Sequence, residues 1–163
     1  GMEHLADLVS SQLSLDFRWE KGAGAAGGLG WGLLVFTGAR LRRGIETVLD
    51  ICDFDAGAQW ADIIVTGEGQ IDGQSVCGKV IDGVAHRAQT YGKPVIAIAG
   101  SLADNATEVY QAGIMSMEAC VCRPMPVSLA IENARPYLED AAERIFRAVF
   151  LGMQIKANLE KTL

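Results

Sequence analysis

The chain has 163 residues, of which 50% are hydrophobic, so it can bury the core of a folded domain and is not a disordered protein. Its 14 basic and 20 acidic residues give a net charge of −6, which disfavours a nucleic-acid interface because such a surface needs a basic stripe. No apolar run approaches the roughly 20 residues that cross a membrane, and the first ten residues lack the pattern of a signal peptide. We expect a cytoplasmic protein with no nucleic-acid or membrane partner.

The first part of the chain is predicted to form helices on both sides of a glycine-rich loop. Apolar residues recur at helical spacing over 3–12, which predicts a short helix. Apolar and polar residues then alternate over 13–19, which suggests a strand or an extended segment. Four glycines fall within residues 22–28 and predict a loop, because glycine carries a high entropic cost inside a helix. Residues 29–36 are apolar all round and predict a largely buried helix, followed by an amphipathic helix around 41–49.

The rest of the chain alternates between strands and helices. Its clearest strand is 94–99 (PVIAIA), a continuous apolar run between breaking residues, which is typical of a strand buried on both faces. The predicted elements are a short helix to residue 60, strands over 62–66, 94–99 and 114–121, and helices over 78–91, 104–111, from 128, and over 135–156. This order predicts an α/β fold with a Rossmann-like parallel sheet of about three strands and right-handed crossovers.

The predicted sheet is thin and needs a partner at its edges. Three strands leave two edges exposed unless something covers them, so we expect either a homodimer or a missing amino-terminal segment that pairs with this chain. We expect a glycine-loop and helical segment over 1–60 and a parallel α/β segment with the long terminal helix over 61–163.

Polar and charged side chains follow the strand at 62–66. Ligands of open α/β sheets bind at the carboxyl ends of the strands, where this chain has the carboxylates Glu68 and Asp72 and the lysine Lys79. The carboxylates suit Mg²⁺ coordination or proton acceptance from an attacking hydroxyl, and the lysine suits phosphate oxygens. The alternative is that Glu68 and Asp72 cap the next helix and bond loop amides, while Lys79 is a solvated surface residue. Ser101, after the next strand, either lines the same crevice or caps a helix.

The glycine loop matches the dinucleotide-binding pattern only as a string, at Gly22, Gly24 and Gly27. No buried strand precedes it, and no acidic residue ends a second strand about 20 residues later, as that pattern requires. Two interpretations stay open, namely a tight turn into a closely packed helix and an anion site at a helix N-terminus.

The four cysteines do not indicate a metal site. Cys52, Cys77, Cys120 and Cys122 lack the paired C-x-x-C spacing of zinc ligands, so we expect free, mostly buried thiols in a reducing compartment. Cys77 lies in the polar loop, but no neighbouring base that would make it a nucleophile is identifiable.

Three stretches carry a resemblance to a known family. They are GAGAAGGLG (Gly22–Gly30), DIIVTGEGQIDGQSVCGKV (Asp62–Val80) and KPVIAIAGSLAD (Lys93–Asp104). In this order they resemble the carboxyl-terminal part of the bacterial glycerate kinase family, of the glycerate 2-kinase type. The resemblance implies ATP- and Mg²⁺-dependent phosphorylation of D-glycerate, at the 2-hydroxyl, in a cleft between two α/β domains.

The resemblance also places the candidate site residues in matching motifs. Glu68, Asp72 and Lys79 are the candidate catalytic residues, and Glu68 and Asp72 are the candidate metal ligands, with roles that follow from their side-chain chemistry. The candidate cofactor-binding residues are Gly22, Gly24, Gly27, Gly28, Thr66, Gly67, Gly69 and Ser101. The implied cofactors are ATP and Mg²⁺, and the implied partner is glycerate or a similar hydroxy acid.

The chain departs from the family pattern in its loop and in its length. Gln70, Gly73 and Cys77 stand where the family usually has arginine, serine and histidine, and Gln70 lacks the charge of a bidentate guanidinium clamp. The family's amino-terminal part, with its Asp-Ser-Phe-Lys-Gly signature, is absent. We therefore expect weak or no kinase activity from this chain alone. The alternative is a catalytically inactive remnant that binds a small anion or nucleotide, or that assembles with itself.

Overall fold

A computed structural model describes residues 1–75 and 79–161. Its internal contacts divide the chain into two compact units, Gly1–Gly44 and Ile45–Leu163. Residues 45–60 therefore group with the sheet, whereas the boundary predicted from the sequence lies after residue 60. The division into segments 1–60 and 61–163 stays a prediction.

The first unit is built on two helices, α1 (Met2–Leu13) and α2 (Ala25–Thr37), and α1 confirms the helix predicted over 3–12. A cluster of buried side chains holds the unit together, and its members are Ala6, Val9, Ala23, Trp31, Leu34 and Val35. Removing one large apolar side chain from water contributes about 1.5–3 kcal/mol. This cluster is therefore the stabilising core of the first unit.

Two expectations for the first unit are corrected by the structure. Residues 14–24 are irregular or in turns and form no strand. Their alternation has another cause, because Leu15 and Phe17 pack against the buried cluster without a neighbouring strand. The helix predicted to be largely buried is buried on one side only, since Leu29 and Phe36 are 60% and 63% exposed.

The second unit is a parallel sheet with helices on its faces. In chain order the elements are α3 (Gly44–Ile51), α4 (Phe54–Trp60), β1 (Ile64–Ile71), α5 (Val80–Gln89), β2 (Val95–Leu102), a 3-10 helix (Ala106–Ala112), β3 (Ile114–Ala119), α6 (Val127–Glu132) and α7 (Ala134–Glu160). The strand order is β1-β2-β3, and both pairings are parallel. The predicted α/β fold with three parallel strands is confirmed.

The central strand β2 buries a different cluster on each of its faces. The odd-numbered residues of 95–99 pack in one cluster with α5. Ile96 and Ile98 pack in another with Ala141 and Ile145 of α7. Because successive side chains of a strand point to opposite faces, this arrangement confirms the prediction of a strand buried on both sides.

Strands β1 and β2 extend further than the sequence predicted. β1 takes in residues 67–71, which we expected to be a loop, and β2 continues to Leu102. The glycines explain the difference, since a Cβ on Gly67 would collide with the carbonyl oxygen of Ile98 on the paired strand. Here glycine permits two backbones to approach and does not mark a loop.

Arg87 of α5 ties this helix to α3 and α4. Its guanidinium lies 2.6 Å from Asp50 Oδ1 and donates to Asp55 through Nε at 2.8 Å and Nη2 at 2.7 Å. A bidentate pair of this kind fixes geometry better than a single contact. The hydrogen bonds from Arg87 lower the pKa of Asp55 below its ordinary value.

The end of α7 is not covered by the rest of the second unit. Ala141 and Ile145 are buried against the sheet, but every residue from 150 to 161 is exposed. The large apolar side chains of this end are Phe150, Leu151, Met153, Ile155 and Leu159. Over residues 1–75 and 79–161, no helix combines the length and the apolar content that a membrane crossing needs.

Candidate active site

The candidate site lies where β1 ends. Glu68 is in β1, Asp72 follows the last residue of the strand, and Ser75 is completely buried in the turn that comes next. The Ser75 hydroxyl donates to Glu68 Oε2 at 3.1 Å and lies 3.4 Å from Asp72 Oδ1. A buried hydroxyl therefore joins the two carboxylates to which the sequence pointed.

Asp72 holds this turn in shape. Its Oδ1 accepts hydrogen bonds from the backbone N–H groups of Gln74 at 2.8 Å and Ser75 at 3.1 Å, and its own backbone N–H donates to the Ser75 hydroxyl oxygen at 3.2 Å. An aspartate that bonds backbone amides just ahead of it forms an Asx turn. The structure thus gives Asp72 the loop-bonding role stated above as the alternative, and its catalytic and metal-binding roles stay predictions.

Lys79 lies at the start of α5, beside Asp72. Its Nζ is 3.9 Å from Asp72 Oδ1, and its side chain is 45% exposed. An exposed ion pair at this distance contributes only about 0–1 kcal/mol. Lys79 is therefore weakly held, which suits both a solvated surface role and contact with an anionic ligand.

A cleft of about 760 Å³ opens beside Glu68, between the sheet and helices α6 and α7. The predicted site residues Thr66, Gly67, Glu68, Gly69 and Ser101 all line it. Ligand pockets in proteins have volumes of about 300–1,000 Å³ and mostly apolar walls. The structure brings these residues together on one concave surface near the carboxyl ends of β1 and β2.

The opposite wall of the cleft comes from helices to which the sequence did not point. Its residues in α6 and α7 include Val127, Ala130, Ile131, Tyr137 and Leu138. None of the residues of α6 is buried, although most of them are apolar. The apolar residues of this short helix belong to no buried cluster. An apolar stretch of this kind was the sequence feature that could have indicated a binding surface.

Cys120, just after β3, is another apolar part of the cleft lining. Burial raises the pKa of its thiol above the ordinary value, so the thiol stays neutral near pH 7 and is a poor nucleophile. Cys52, Cys120 and Cys122 are free, as predicted. The expectation that the thiols are mostly buried is wrong, since Cys52 and Cys122 are exposed. Cys77 and Gly78 lie outside the described residues.

The residues at the turn fit Mg²⁺ by their chemistry. Within the described ranges, no three His, Cys, Asp or Glu side chains converge as in a metal centre made by protein ligands alone. Mg²⁺ needs fewer, since it usually takes one or two carboxylates together with water and phosphate oxygens. Oxygens of Glu68 and Asp72 both lie within 3.4 Å of Ser75 Oγ, so two carboxylates are available at one place.

In the first unit, the predicted glycine loop forms a left-handed turn at the start of α2. Gly27 and Gly28 have φ angles of 69° and 96°, a region that glycine adopts at little cost. A Cβ on Gly30 would collide with the carbonyl oxygen of Gly22. These features agree with the interpretation of the loop as a tight turn into a closely packed helix.

The same loop borders a cavity of about 480 Å³ in the first unit. Gly24, Gly27 and Gly28 line it together with Arg18 and Trp31. Gly24 precedes the first residue of α2, and free backbone N–H groups at a helix N-terminus favour anions. The first N–H of α2, that of Ala25, already donates to the carbonyl oxygen of Gly22 at 3.0 Å. The anion-site interpretation of the loop stays a prediction.

Comparison with known proteins shows one consistent relationship. A model described as the glycerate kinase family matches residues 1–150. The glycerate kinase of Bacillus subtilis (strain 168) is 45% identical over 152 residues, which cover 93% of this chain and 40% of that protein. The glycerate 2-kinase of Escherichia coli (strain K12) is 37% identical over 154 residues, covering 94% of this chain and 40% of that protein.

The fold is similar to a solved structure as well. The crystal structure of a candidate glycerate kinase 2 from Salmonella typhimurium LT2 matches with a TM-score of 0.72 and 38% sequence identity. The match covers 93% of this chain and 39% of that one. The chain thus spans about 40% of the length of the curated relatives described here.

Proposed function

This chain belongs to the glycerate kinase family, and from that premise we propose that it forms the carboxyl-terminal part of an ATP- and Mg²⁺-dependent kinase of D-glycerate. The observation that carries the proposal is the grouping of Glu68, Asp72 and Lys79 around one turn at the carboxyl edge of a parallel sheet. The kinase names of the relatives imply a nucleotide as phosphoryl donor, and the acidic oxygens of the turn suit Mg²⁺.

The proposed reaction moves a phosphoryl group from ATP to a hydroxyl of D-glycerate. Glu68 accepts the hydroxyl proton as the oxygen attacks the γ-phosphorus, and the bond from that phosphorus to the bridging oxygen of ADP breaks. Ser75 positions Glu68 through its hydrogen bond. Lys79 offsets negative charge on the phosphate oxygens. When bound by the carboxylates of Glu68 and Asp72, Mg²⁺ supplies further positive charge.

Glycine-containing segments supply the proposed nucleotide contacts. In the first unit, backbone N–H groups of the loop before α2 face phosphate oxygens in this proposal, because helix N-termini favour anions. The residues concerned are Gly22, Gly24, Gly27 and Gly28. In the second unit, the proposed nucleotide contacts come from Thr66, Gly67, Gly69 and Ser101, which line the cleft.

The proposal includes a second component, since the chain spans about 40% of the length of its relatives. Either the remaining part of the family's length or a second copy of this chain completes the site. Strand β1 is at the edge of the sheet and can accept such a partner. We expect weak or no turnover from the chain alone, because phosphoryl transfer depends on positioning the reactants.

A chimaera tests this function. This chain replaces the matched region of the Bacillus subtilis glycerate kinase, and ADP release is measured with D-glycerate and, as a control, with L-glycerate. We expect turnover that depends on D-glycerate in the chimaera and little or none from the chain alone. A folded chimaera that binds ATP but releases no ADP would contradict the function. A normal rate from the chain alone would contradict the need for a second component.

A second candidate function is an inactive module that assembles with itself. The uncovered apolar end of α7 favours it, because large contiguous apolar surfaces mark interaction sites. Size-exclusion chromatography with light scattering separates the candidates. A stable dimer that binds nucleotide, together with an inactive chimaera, would support the inactive module, and a monomer would count against it.

A further inference from the structure

Part of the floor of the cleft beside Glu68 is bare backbone, because glycines stand there. Val65, Gly67 and Gly69 alternate along β1, and all three line the cleft. A Cβ on Gly69 would meet no atom within 4 Å, so a side chain there would extend into open space. Gly100, on β2, also lines the cleft. A surface without side chains at two neighbouring strands can accept a flat group against its peptide planes.

The walls of the cleft are apolar. Ile98 and Cys120 line the sheet side, and Ile131, Tyr137 and Leu138 line the helix side. Glu68 is the one charged residue among the described residues that line the cleft. An anion buried here would have no cationic partner and would lose its hydration at a cost of several kcal/mol. The carboxylate of glycerate and the phosphates of ATP are therefore poorly suited to the interior of the cleft.

Glu68 links the cleft to the turn that follows β1. Thr66 and Glu68 border the cleft, but they pair with Ala97 and Ala99, whose side chains pack in the cluster with α5, so their own side chains project from the other face of the sheet. From Glu68 the hydrogen bonds lead through Ser75 to Asp72, and Lys79 Nζ lies 3.9 Å beyond. Through Glu68 and its hydrogen bond to Ser75, the apolar cleft adjoins a turn that carries an exposed cation.

We infer that this cleft binds the purine base of the nucleotide, with the ribose and phosphates leading out towards Lys79. This inference rests on the proposed use of a nucleotide. It adds that the purine base occupies the cleft and that the phosphates lie towards Lys79. A purine is flat and largely apolar, which matches the bare glycine floor and the apolar walls. The volume of about 760 Å³ falls within the range of small-ligand pockets.

Calorimetric titration of the 163-residue chain with adenosine, ATP and tripolyphosphate tests the inference. The diagnostic variant is Gly69→Leu, which fills the cleft from its floor. Its matched control is Gly57→Leu in α4, where a Cβ also meets no atom within 4 Å. Circular dichroism and thermal unfolding establish that both variants are folded.

We expect adenosine to bind without phosphates, and Gly69→Leu to weaken adenosine and ATP by about tenfold or more. Gly57→Leu should leave the affinities for adenosine and ATP within about twofold of the native values. The affinity for tripolyphosphate should be the same in Gly69→Leu as in the native chain. Binding of ATP without binding of adenosine would overturn the inference while leaving nucleotide dependence intact. Unchanged adenosine affinity in a folded Gly69→Leu variant would overturn it as well. Adenosine binding that Gly69→Leu abolishes, together with an inactive chimaera, would reject the proposed function and support the cleft assignment.

Discussion

The buried hydroxyl of Ser75 donates a hydrogen bond of 3.1 Å to Glu68 Oε2. This contact links the last part of β1 to the turn that follows it, and so it fixes the carboxylate that we place at the reacting hydroxyl. A charged acceptor strengthens such a bond relative to a neutral one. The orientation of Glu68 therefore depends on a residue that does not line the cleft.

Replacing Ser75 with alanine should lower the free energy of unfolding by about 1–3 kcal/mol, because it removes a buried hydrogen bond to a charged group. Urea unfolding of the chain measures this loss. Ser11→Ala is the control, since the Ser11 hydroxyl bonds Leu8 O at an exposed site of α1, and it should change stability by less than about 0.5 kcal/mol. Equal effects of the two substitutions would contradict the role of Ser75.

Substitutions of Asp72 should separate its structural role from its charge. Asp72→Ala removes the acceptor of two backbone hydrogen bonds and should destabilise the chain by about 1–2 kcal/mol. Asp72→Asn keeps an oxygen acceptor at the turn and should cost less. If the carboxylate also binds Mg²⁺, thermal unfolding in the presence of Mg²⁺ and ATP should shift less for Asp72→Asn than for the native chain. Equal stability of the alanine and asparagine variants would contradict the Asx turn.

Replacing Gly67 with alanine should destabilise the chain, whereas replacing Gly69 with alanine should have little effect. A Cβ at Gly67 collides with the backbone of β2, whereas a Cβ at Gly69 meets nothing within 4 Å. We expect Gly67→Ala to destabilise the chain by about 1–3 kcal/mol through overpacking and Gly69→Ala to have an effect below about 0.5 kcal/mol. Urea unfolding of both variants decides this. A well-tolerated Gly67→Ala would show that the two strands can separate.

The ion pair of Asp55 and Arg87 should make stability depend on acid pH. Hydrogen bonds from Arg87 hold the pKa of Asp55 in the folded chain below its ordinary value of 3.8. The stabilisation is therefore complete above pH 3.8 and is lost as the pH falls through the lowered pKa of the folded chain. The melting temperature of the native chain should exceed that of Asp55→Asn near neutral pH, and this difference should shrink as the pH falls below 3.8.

Calorimetric scans over that pH range measure the difference. The control is Asp62→Asn, which changes an exposed aspartate, and its melting temperature should follow the native value at every pH. A difference for Asp55→Asn that is the same at acid and neutral pH would contradict the lowered pKa of Asp55.

The order of strands and helices could be predicted from the sequence because it depends on local patterns. The run from Val95 to Ala99 predicted a strand buried on both faces, and the structure confirms it. The ends of the strands could not be predicted, because a glycine such as Gly67 gives the same local signal in a loop and in two closely paired strands. Only the position of Ile98 opposite it separates the two cases.

The candidate site was predictable on the sheet side and not on the helix side. Glu68 and Ser101 follow apolar strands, so their convergence at one edge follows from parallel pairing. Tyr137 and Leu138 reach the cleft through the path of the chain after β3, and no local pattern encodes that path. Apolar residues recur at helical spacing over 135–156, but at the end of α7 this spacing does not mark a buried face, since Ile155 is 52% exposed.

The central claim is that the turn after β1 carries the chemistry of phosphoryl transfer. Its most direct test is the maximal rate of D-glycerate-dependent ADP release by the chimaera with Glu68→Gln, compared with Glu139→Gln at an exposed position of α7. We predict a fall of about 100-fold or more for Glu68→Gln, because glutamine cannot accept the hydroxyl proton, and an unchanged rate for Glu139→Gln. A folded Glu68→Gln chimaera with the same maximal rate as its parent would contradict the claim.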